Sequence, residues 1–265
     1  MTIPLTPDEV YEYWNRQAHE HGQSPSASWS DHRVIEMEIA EISKHLRDGD
    51  RVLDVGCANG YSSVKFAVIR RVNLRGVDYV PKMIEEARRR LAGIEGKLIG
   101  SVEFAVGDIT KLNEPTNAYD KVVVVRVLIN LGHWERQLQG LRECIRVLKP
   151  GGVLLLSEAT LQGWRKLNAL RAEWGLEGIP MPLFNQYVDQ NQVIESIRSE
   201  AELLELSNFA STYYVGTRVL KPLLAKATNA PVSVGDPNAE WNHWFSRLPP
   251  GGDYGTQKLF RFRKL

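Results

Sequence analysis

Residues 52–60 read VLDVGCANG and combine an apolar strand pattern, an acidic residue and a turn of small residues. Asp54 lies in the strand pattern, and Gly56, Ala58 and Gly60 follow at every second position. A strand that ends in such a turn commonly presents a nucleotide to the helix that follows it. A tight turn without any ligand is the alternative that this stretch alone leaves open.

The spacing of the small residues limits which class of nucleotide the turn could bind. A dinucleotide fingerprint has its third glycine one residue later, where this chain has Tyr61. A phosphate-binding loop ends in Gly-Lys followed by Ser or Thr, and this turn does not. A ligand that brings no phosphates to this point can lie across a G-x-A-x-G turn and contact its backbone.

Two further acidic residues end predicted strands. Asp78 ends NLRGVD, and an acid there can accept hydrogen bonds from ribose hydroxyls. Asp108 ends SVEFAVGD, where a carboxylate can accept a hydrogen bond from an adenine amino group. Capping of the next helix by Asp78 and turn formation by Asp108 are the alternatives.

The chain alternates between strand and helix patterns. The strand patterns RVLDVG, NLRGVD, SVEFAVGD, DKVVVVRVLI and VLLLSE are separated by amphipathic helical patterns. This order predicts an α/β fold with a doubly wound, mostly parallel sheet. STYYVGTRVL and KLFRFRK alternate like two further strands, whereas residues 191–205 have a helical pattern.

Four motifs, VLDVGCANG, GVDYVPKMIEEA, VEFAVGDI and RVLKPGGVLLLSE, resemble in order and spacing the class I S-adenosylmethionine (SAM)-dependent methyltransferases. The resemblance covers roughly residues 45–160 and implies a Rossmann-like seven-stranded fold, SAM as cofactor and S-adenosylhomocysteine as product. Ala58 departs from the family, which more often has glycine there.

The resemblance also implies the residues that bind the cofactor. Asp54 and the turn would hold the methionine part of SAM, and Asp78 would bind the ribose. Tyr79 and Ile109 would pack on adenine, and Asp108 would bond its amino group. The full expected set is Asp54, Gly56, Cys57, Ala58, Asn59, Gly60, Asp78, Tyr79, Met83, Gly107, Asp108, Ile109 and Arg126.

Composition limits the other function classes. The chain has 33 Lys+Arg against 32 Asp+Glu, which gives no electrostatic reason to expect binding to nucleic acid or to an anionic membrane. It has no run of 18 apolar residues, no secretory core near the N-terminus, and only two cysteines, Cys57 and Cys144. We therefore expect a soluble cytoplasmic protein with a small-molecule or glycan acceptor, of undetermined oligomeric state.

The expected domain organisation places the acceptor at one edge of the sheet. Residues 1–34 form an N-terminal cap segment, and residues 35–265 form a single domain with cap insertions at 161–190 and 221–256. Ligands bind beyond the carboxyl ends of parallel strands, so we expect these segments to converge there. All seven tryptophans lie outside the first five predicted strands, which suits an acceptor that stacks, although tryptophans also attach loops to a domain.

A hydroxyl acceptor requires a general base or a metal ion to remove its proton. Arg126, near the end of the fourth strand, disfavours a metal, so we expect none. Glu158 and His133 are the candidate bases; pairing of Glu158 with Arg126 and capping of a helix by His133 are the alternatives. The reserve candidates are His21, His32, His243 and Asp253.

A narrower resemblance concerns the acceptor. RVLINL, SEATLQGWRKLNALR, GLEGIPMPLFNQY, STYYVGTRVLKPLLA and PPGGDYGTQKLFRF are similar to bacterial methyltransferases associated with surface polysaccharide assembly. That resemblance implies O-methylation of a sugar, in a glycan or in a nucleotide-linked precursor. The alternatives are a small-molecule O- or N-methyltransferase of secondary metabolism and a non-catalytic SAM-binding regulator.

Overall fold

The computed structural model describes residues 5–94, 96–228, 236 and 238–265. The α-helices of the described residues are α1 (Pro7–His21), α2 (His32–Ser43), α3 (Tyr61–Ile69), α4 (Pro81–Ala92), α5 (Trp134–Val147), α6 (Leu161–Glu173), α7 (Gln190–Ser196), α8 (Ser211–Val215), α9 (Lys221–Thr228) and α10 (Glu240–Phe245). The strands are β1 (Arg51–Val55), β2 (Asn73–Asp78), β3 (Ser101–Val106), β4 (Tyr119–Val125), β5 (Leu148–Ala159), β6 (Ala201–Ser207) and β7 (Gln257–Lys264). Short 3₁₀ turns lie at Pro25–Ala27 and Leu128–Asn130, and a π-helical turn lies at Gly216–Leu220.

The seven strands form one sheet in the order β3-β2-β1-β4-β5-β7-β6. β7 runs antiparallel to both of its neighbours, and the remaining pairs are parallel. The predicted α/β fold with a seven-stranded, mostly parallel sheet is therefore confirmed. Because β1 to β5 are parallel, the residues that follow them meet at the same edge of the sheet.

Helices cover both faces of the sheet because the strand residues alternate between two hydrophobic clusters. Val52 of β1 packs on the face that holds α2 and α3, and Leu53 packs on the face that holds α5. In β5, Leu155 packs on the α2 face and Leu154 packs on the α5 face. Burial on both faces explains why these strands read as continuous apolar runs.

The sixth strand lies at a different place from the one that the sequence pattern predicts. STYYVGTRVL is helical, forming α8 and the π-helical turn, and the strand prediction for it was wrong. The strand is instead Ala201–Ser207, which lies partly within the stretch that we expected to be helical. The tyrosines and β-branched residues at 211–220 pack on the α2 face, where tertiary contacts override their strand propensity. In β6, Glu202 and Glu205 form cross-strand ion pairs with arginines of β7.

None of the helices in the described ranges has the length and apolar character needed to cross a bilayer.

The turn after β1 is fixed by its close approach to the residue that follows Arg126. Gly56 has a φ of +74°, and a Cβ added there would lie 2.2 Å from the Val127 Cγ2 atom. Gly151 has nearly the same φ, +75°, but a Cβ there would meet no atom within 4 Å. The two glycines therefore share a left-handed backbone conformation and differ in the space available for a side chain.

We predict that Gly56→Ala destabilises the protein more than Gly151→Ala does. Both substitutions place alanine in the left-handed region, at a cost of about 1–2 kcal/mol. Only Gly56→Ala also forces Val127 to move, and overpacking typically adds about 1–3 kcal/mol. Urea unfolding of the two variants measures this difference in the free energy of unfolding, and equal losses would contradict the packing described here.

Candidate functional site

A cavity of about 980 Å³ opens at the carboxyl ends of β1, β2, β3 and β4. The turns after these strands form one side of it. The other side comes from the first turns of α1 and from residues 184–186. Every residue of the expected cofactor-binding set except Gly60 lines this cavity.

Asp54 lies on the floor of the cavity and is almost completely buried. One of its oxygens accepts a hydrogen bond from the Ser63 hydroxyl at 2.5 Å. Removal from solvent raises the pKa of Asp54 to about 7, although the Ser63 bond acts in the opposite direction. A donor or a cation placed in the cavity would favour the ionised form of this carboxyl group.

Asp78 connects the turns that follow β1 and β2. Its Oδ2 accepts the backbone N–H of Ala58 at 2.9 Å, and its Oδ1 accepts the backbone N–H of Val80 at 2.9 Å. Burial raises the pKa of Asp78 to about 6, against the effect of these two bonds. Ala58 has a φ of +47°, so the turn holds a non-glycine residue in the left-handed region that Asp78 stabilises.

The residues expected near adenine lie together at the ends of β2 and β3. Tyr79 packs edge-on against Tyr11 of α1, with ring centroids 5.7 Å apart. The Asp108 Oδ1 accepts the backbone N–H and the hydroxyl of Thr110, both at 2.8 Å, so Asp108 forms the predicted turn and also lines the cavity. Gly107 donates its N–H to the Asp78 carbonyl at 3.0 Å. Met83 is buried against Val80 and the small residues of the N-terminal segment.

Two residues of the glycine turn use their side chains for contacts within the protein. The Asn59 amide donates to the carbonyls of Gly22 and Ser24, at 2.8 and 2.7 Å. Cys57 packs against Ile84 and its neighbours, and burial raises the pKa of its thiol. Asn59 therefore attaches the segment after α1 to the turn, and both residues offer chiefly their backbone to the cavity.

Arg126 follows β4 with a φ of +55° and lines the cavity. Its guanidinium pairs with Glu38, which is buried on α2, and lies over the Trp29 ring at 5.0 Å. The Glu38 carboxylate also accepts hydrogen bonds from Ser157 and Gln257. The predicted alternative, a pair between Arg126 and Glu158, is therefore not the contact that forms, because Glu38 takes that place.

The two candidate bases lie in different surroundings. His133 is exposed, lines the cavity and precedes α5, where its side chain makes no capping hydrogen bond. Glu158 is fully buried and does not line the cavity; its carboxylate bonds to backbone N–H groups of Val127 and Leu128. The reserve candidates His21, His32, His243 and Asp253 also lie outside the cavity lining.

The sequence did not predict the aromatic wall that faces the turn after β1. Tyr13 of α1 stacks on Phe184 with ring centroids 4.3 Å apart, and Trp14 packs edge-on against the same ring at 5.8 Å. A local signal for α1 was present: Thr6 and Glu9 form a capping box at its start. The partnership between α1 and Phe184 joins distant segments and has no local signal.

The expected cap segments contribute unequally to the cavity. Residues 5–14 supply much of one wall, and the 161–190 insertion supplies only Phe184, Asn185 and Gln186. Within 221–256, none of the described residues lines the cavity; Trp241 and Phe245 pack on the α2 face of the sheet. Part of that insertion, 229–235 and 237, lies outside the described residues.

In the described ranges, no cluster of three or more His, Cys, Asp or Glu side chains has the arrangement of a metal site.

Residues 52–152 match the family described as "Methyltransferase domain". The 27-O-demethylrifamycin SV methyltransferase of Amycolatopsis mediterranei (strain S699) is 33% identical over 118 residues, which are 44% of this chain and 41% of that protein. The ubiquinone/menaquinone biosynthesis C-methyltransferase UbiE of Ectopseudomonas mendocina (strain ymp) is 36% identical over 136 residues, 50% of each chain. The chain spans about half the length of these curated relatives.

Solved structures share the fold over nearly the whole chain. Magnesium protoporphyrin IX methyltransferase (ChlM) from Synechocystis PCC 6803, with bound S-adenosylhomocysteine, superposes with a TM-score of 0.62 at 14% identity and covers 98% of this chain and 100% of that one. The [4+2]-cyclase SpnF superposes with a TM-score of 0.56 at 23% identity, covering 86% of this chain and 80% of that one. A neighbour at TM-score 0.61 and 15% identity, covering 94% of this chain and 96% of that one, is described as a putative methyltransferase in complex with the Haloferax volcanii Trm112 activator. Residues 52–152 are therefore similar to a methyltransferase domain, and the chain shares the seven-stranded fold of these solved structures.

Proposed function

We propose that this chain transfers a methyl group from SAM to a hydroxyl of a ring-bearing small molecule. The observation that carries the proposal is the composition of this cavity, which joins two buried carboxylates, Asp54 and Asp78, to an aromatic wall. The carboxylates suit a cationic, hydroxyl-bearing cofactor, and the wall suits a flat acceptor.

The cavity residues fit SAM by their chemistry. The closely packed Gly56 allows a ligand to approach the backbone, and Asp54 offers a carboxylate for the ammonium group of SAM. Each Asp78 oxygen accepts one backbone bond and keeps a lone pair for a ribose hydroxyl. Tyr79, Asp108 and Ile109 are the proposed adenine contacts, and the Arg126 guanidinium would face the SAM carboxylate.

The acceptor half of the cavity suits a molecule with an apolar face. Tyr13, Trp14 and Phe184 give it stacking surfaces. Beside them, the Asn185 amide donates to Asn130 Oδ1 at 2.9 Å, so neutral amides also line this part of the cavity. Rings with amides at their edge also bind sugars, so a sugar hydroxyl is the narrower form of this proposal.

SAM supplies a sulfonium methyl group that a correctly aligned nucleophile displaces. The protein's contribution is alignment and removal of the hydroxyl proton. His133 is the proposed general base because it lines the cavity and makes no hydrogen bond that caps α5. The A. mediterranei relative is named as an O-methyltransferase of a small molecule and UbiE as a C-methyltransferase, so neither name fixes the atom that is methylated here.

We predict that Asp78→Ala weakens SAM binding more than tenfold. The substitution removes charged acceptor bonds worth roughly 1.5–3 kcal/mol and leaves the Ala58 N–H without its partner. Isothermal titration calorimetry measures the affinity, and Glu103→Ala, an exposed carboxylate on β3, is the control. Wild-type affinity in Asp78→Ala would rule out the ribose assignment.

We predict that SAM binds more tightly as the pH rises from about 5 to about 8. Burial raises the pKa of Asp54 to about 7 and of Asp78 to about 6, so both are largely protonated at the lower pH. Donors on SAM favour the ionised carboxylates, so binding at low pH must release protons. Calorimetry in buffers with different ionisation enthalpies measures this release, and an affinity independent of pH would contradict the assignment.

We predict that labelled methyl from SAM enters hydroxyl-bearing ring compounds in a panel of nucleotide sugars, glycan extracts, phenols and amines. His133→Ala should then lower kcat by about 10²–10⁴-fold with unchanged SAM affinity, since a general base contributes that much. His19→Ala, an exposed histidine outside the cavity, should retain wild-type kcat.

Label in amines only, with little effect of His133→Ala, would support the N-methyltransferase alternative. Tight SAM binding without any transfer would support the non-catalytic regulator.

A further inference from the structure

Glu158 is a buried carboxylate that the proposed chemistry does not use. It lies near the end of β5, with no exposed surface, and faces the loop that follows β4. Its Oε1 accepts the backbone N–H of Val127 at 2.8 Å and of Leu128 at 2.7 Å. Its Oε2 is also buried and has no hydrogen-bond partner among the described residues.

The loop that Glu158 holds contributes to both halves of the cavity. The Val127 side chain lies against Gly56, so close that a Cβ on that glycine would be 2.2 Å away. Further along the loop, Ile129, Asn130 and Leu131 line the cavity. The Ile129 carbonyl also accepts the N–H of Gln186 at 2.7 Å, which ties the loop to the segment that carries Phe184.

The two bonds to Glu158 begin where the backbone pairing of β4 with β5 ends. Arg126 donates its N–H to the Ser157 carbonyl at 2.8 Å, and this hydrogen bond continues the β4–β5 pairing by one residue. The chain then leaves the sheet, and the next two N–H groups turn toward the carboxylate. Glu158 therefore fixes the direction in which the chain leaves β4.

We propose that Glu158 is a positioning residue that sets the Arg126–Leu131 loop, and through it the glycine turn and the aromatic wall. It does not take a proton from the acceptor. This role rests on the proposed cofactor site and is independent of the identity of the acceptor. A single oxygen does the positioning, because Oε1 takes both backbone bonds.

This asymmetry allows a pair of variants of similar size. Glu158→Gln keeps an acceptor oxygen at Oε1 and places its amide nitrogen where Oε2 makes no bond. Glu158→Met keeps much of the volume but removes the acceptor, leaving two buried N–H groups unpaired. Asn242→Ala is the control for loss of a buried polar side chain, because Asn242 bonds to Tyr213 and Lys221, away from the cavity.

The test measures amide hydrogen exchange at Val127 and Leu128 and calorimetric affinity for S-adenosylhomocysteine, neither of which needs an acceptor. We expect Glu158→Gln and Asn242→Ala to remain within threefold of the wild-type affinity with protected loop amides. We expect Glu158→Met to lose that protection and to bind more than tenfold more weakly. Once an acceptor is known, Glu158→Gln should also retain wild-type kcat, whereas a general base at this position would lose it.

Two results would overturn the proposal: wild-type affinity in Glu158→Met, or loss of loop protection and affinity in Glu158→Gln. If Glu158→Met does not fold, Glu158→Gln alone tests the proposal: retained affinity and loop protection support it, and their loss overturns it. Failure of the proposed methyl transfer would appear separately, as intact cofactor binding without turnover in the wild-type protein.

Discussion

One buried carboxylate organises the edge of the sheet where the site lies. Asp78 accepts N–H groups from the turns that follow β1 and β2, and the carbonyl of its neighbour Val77 accepts those of Gly56 and Cys57. Three amides of the first turn are thus held by the end of the next strand. The surroundings of Asp78 disfavour its charge, and its pKa is raised. A ligand that donates hydrogen bonds here would offset that cost, which links the architecture of the turn to cofactor binding.

The meeting of Asp54, Asp78 and the glycine turn at one cavity was predictable from the sequence because most of its determinants are local. Asp54 and Asp78 each stand at the end of a short apolar run, and the order of these runs defines a parallel sheet. Once the strands are parallel, their carboxyl ends must lie at one edge. Gly56 follows the same local logic, since its φ of +74° favours glycine, whereas its close approach to Val127 is a contact between distant segments.

The parts that were not predictable depend on contacts between distant segments. The STYYVGTRVL pattern shows which residues are apolar but not that the α2 face, rather than a strand, receives them. Glu158 was a reasonable base by its place at the end of β5, yet its carboxylate turns to the backbone of Val127 and Leu128. The aromatic wall needs the meeting of Tyr13 with Phe184, 171 residues along the chain, which no local spacing encodes.

The cavity has one side built on strand ends, which we propose binds the cofactor, and another built on α1 and residues 184–186, which we propose binds the acceptor. The most direct test of this division is a crystal structure of the chain with S-adenosylhomocysteine bound. We predict that the ribose hydroxyls contact Asp78 and that adenine lies beside Tyr79 and Asp108. We also predict that the sulfur faces the aromatic wall and His133. Binding outside this cavity, or a sulfur turned away from that wall, would contradict it.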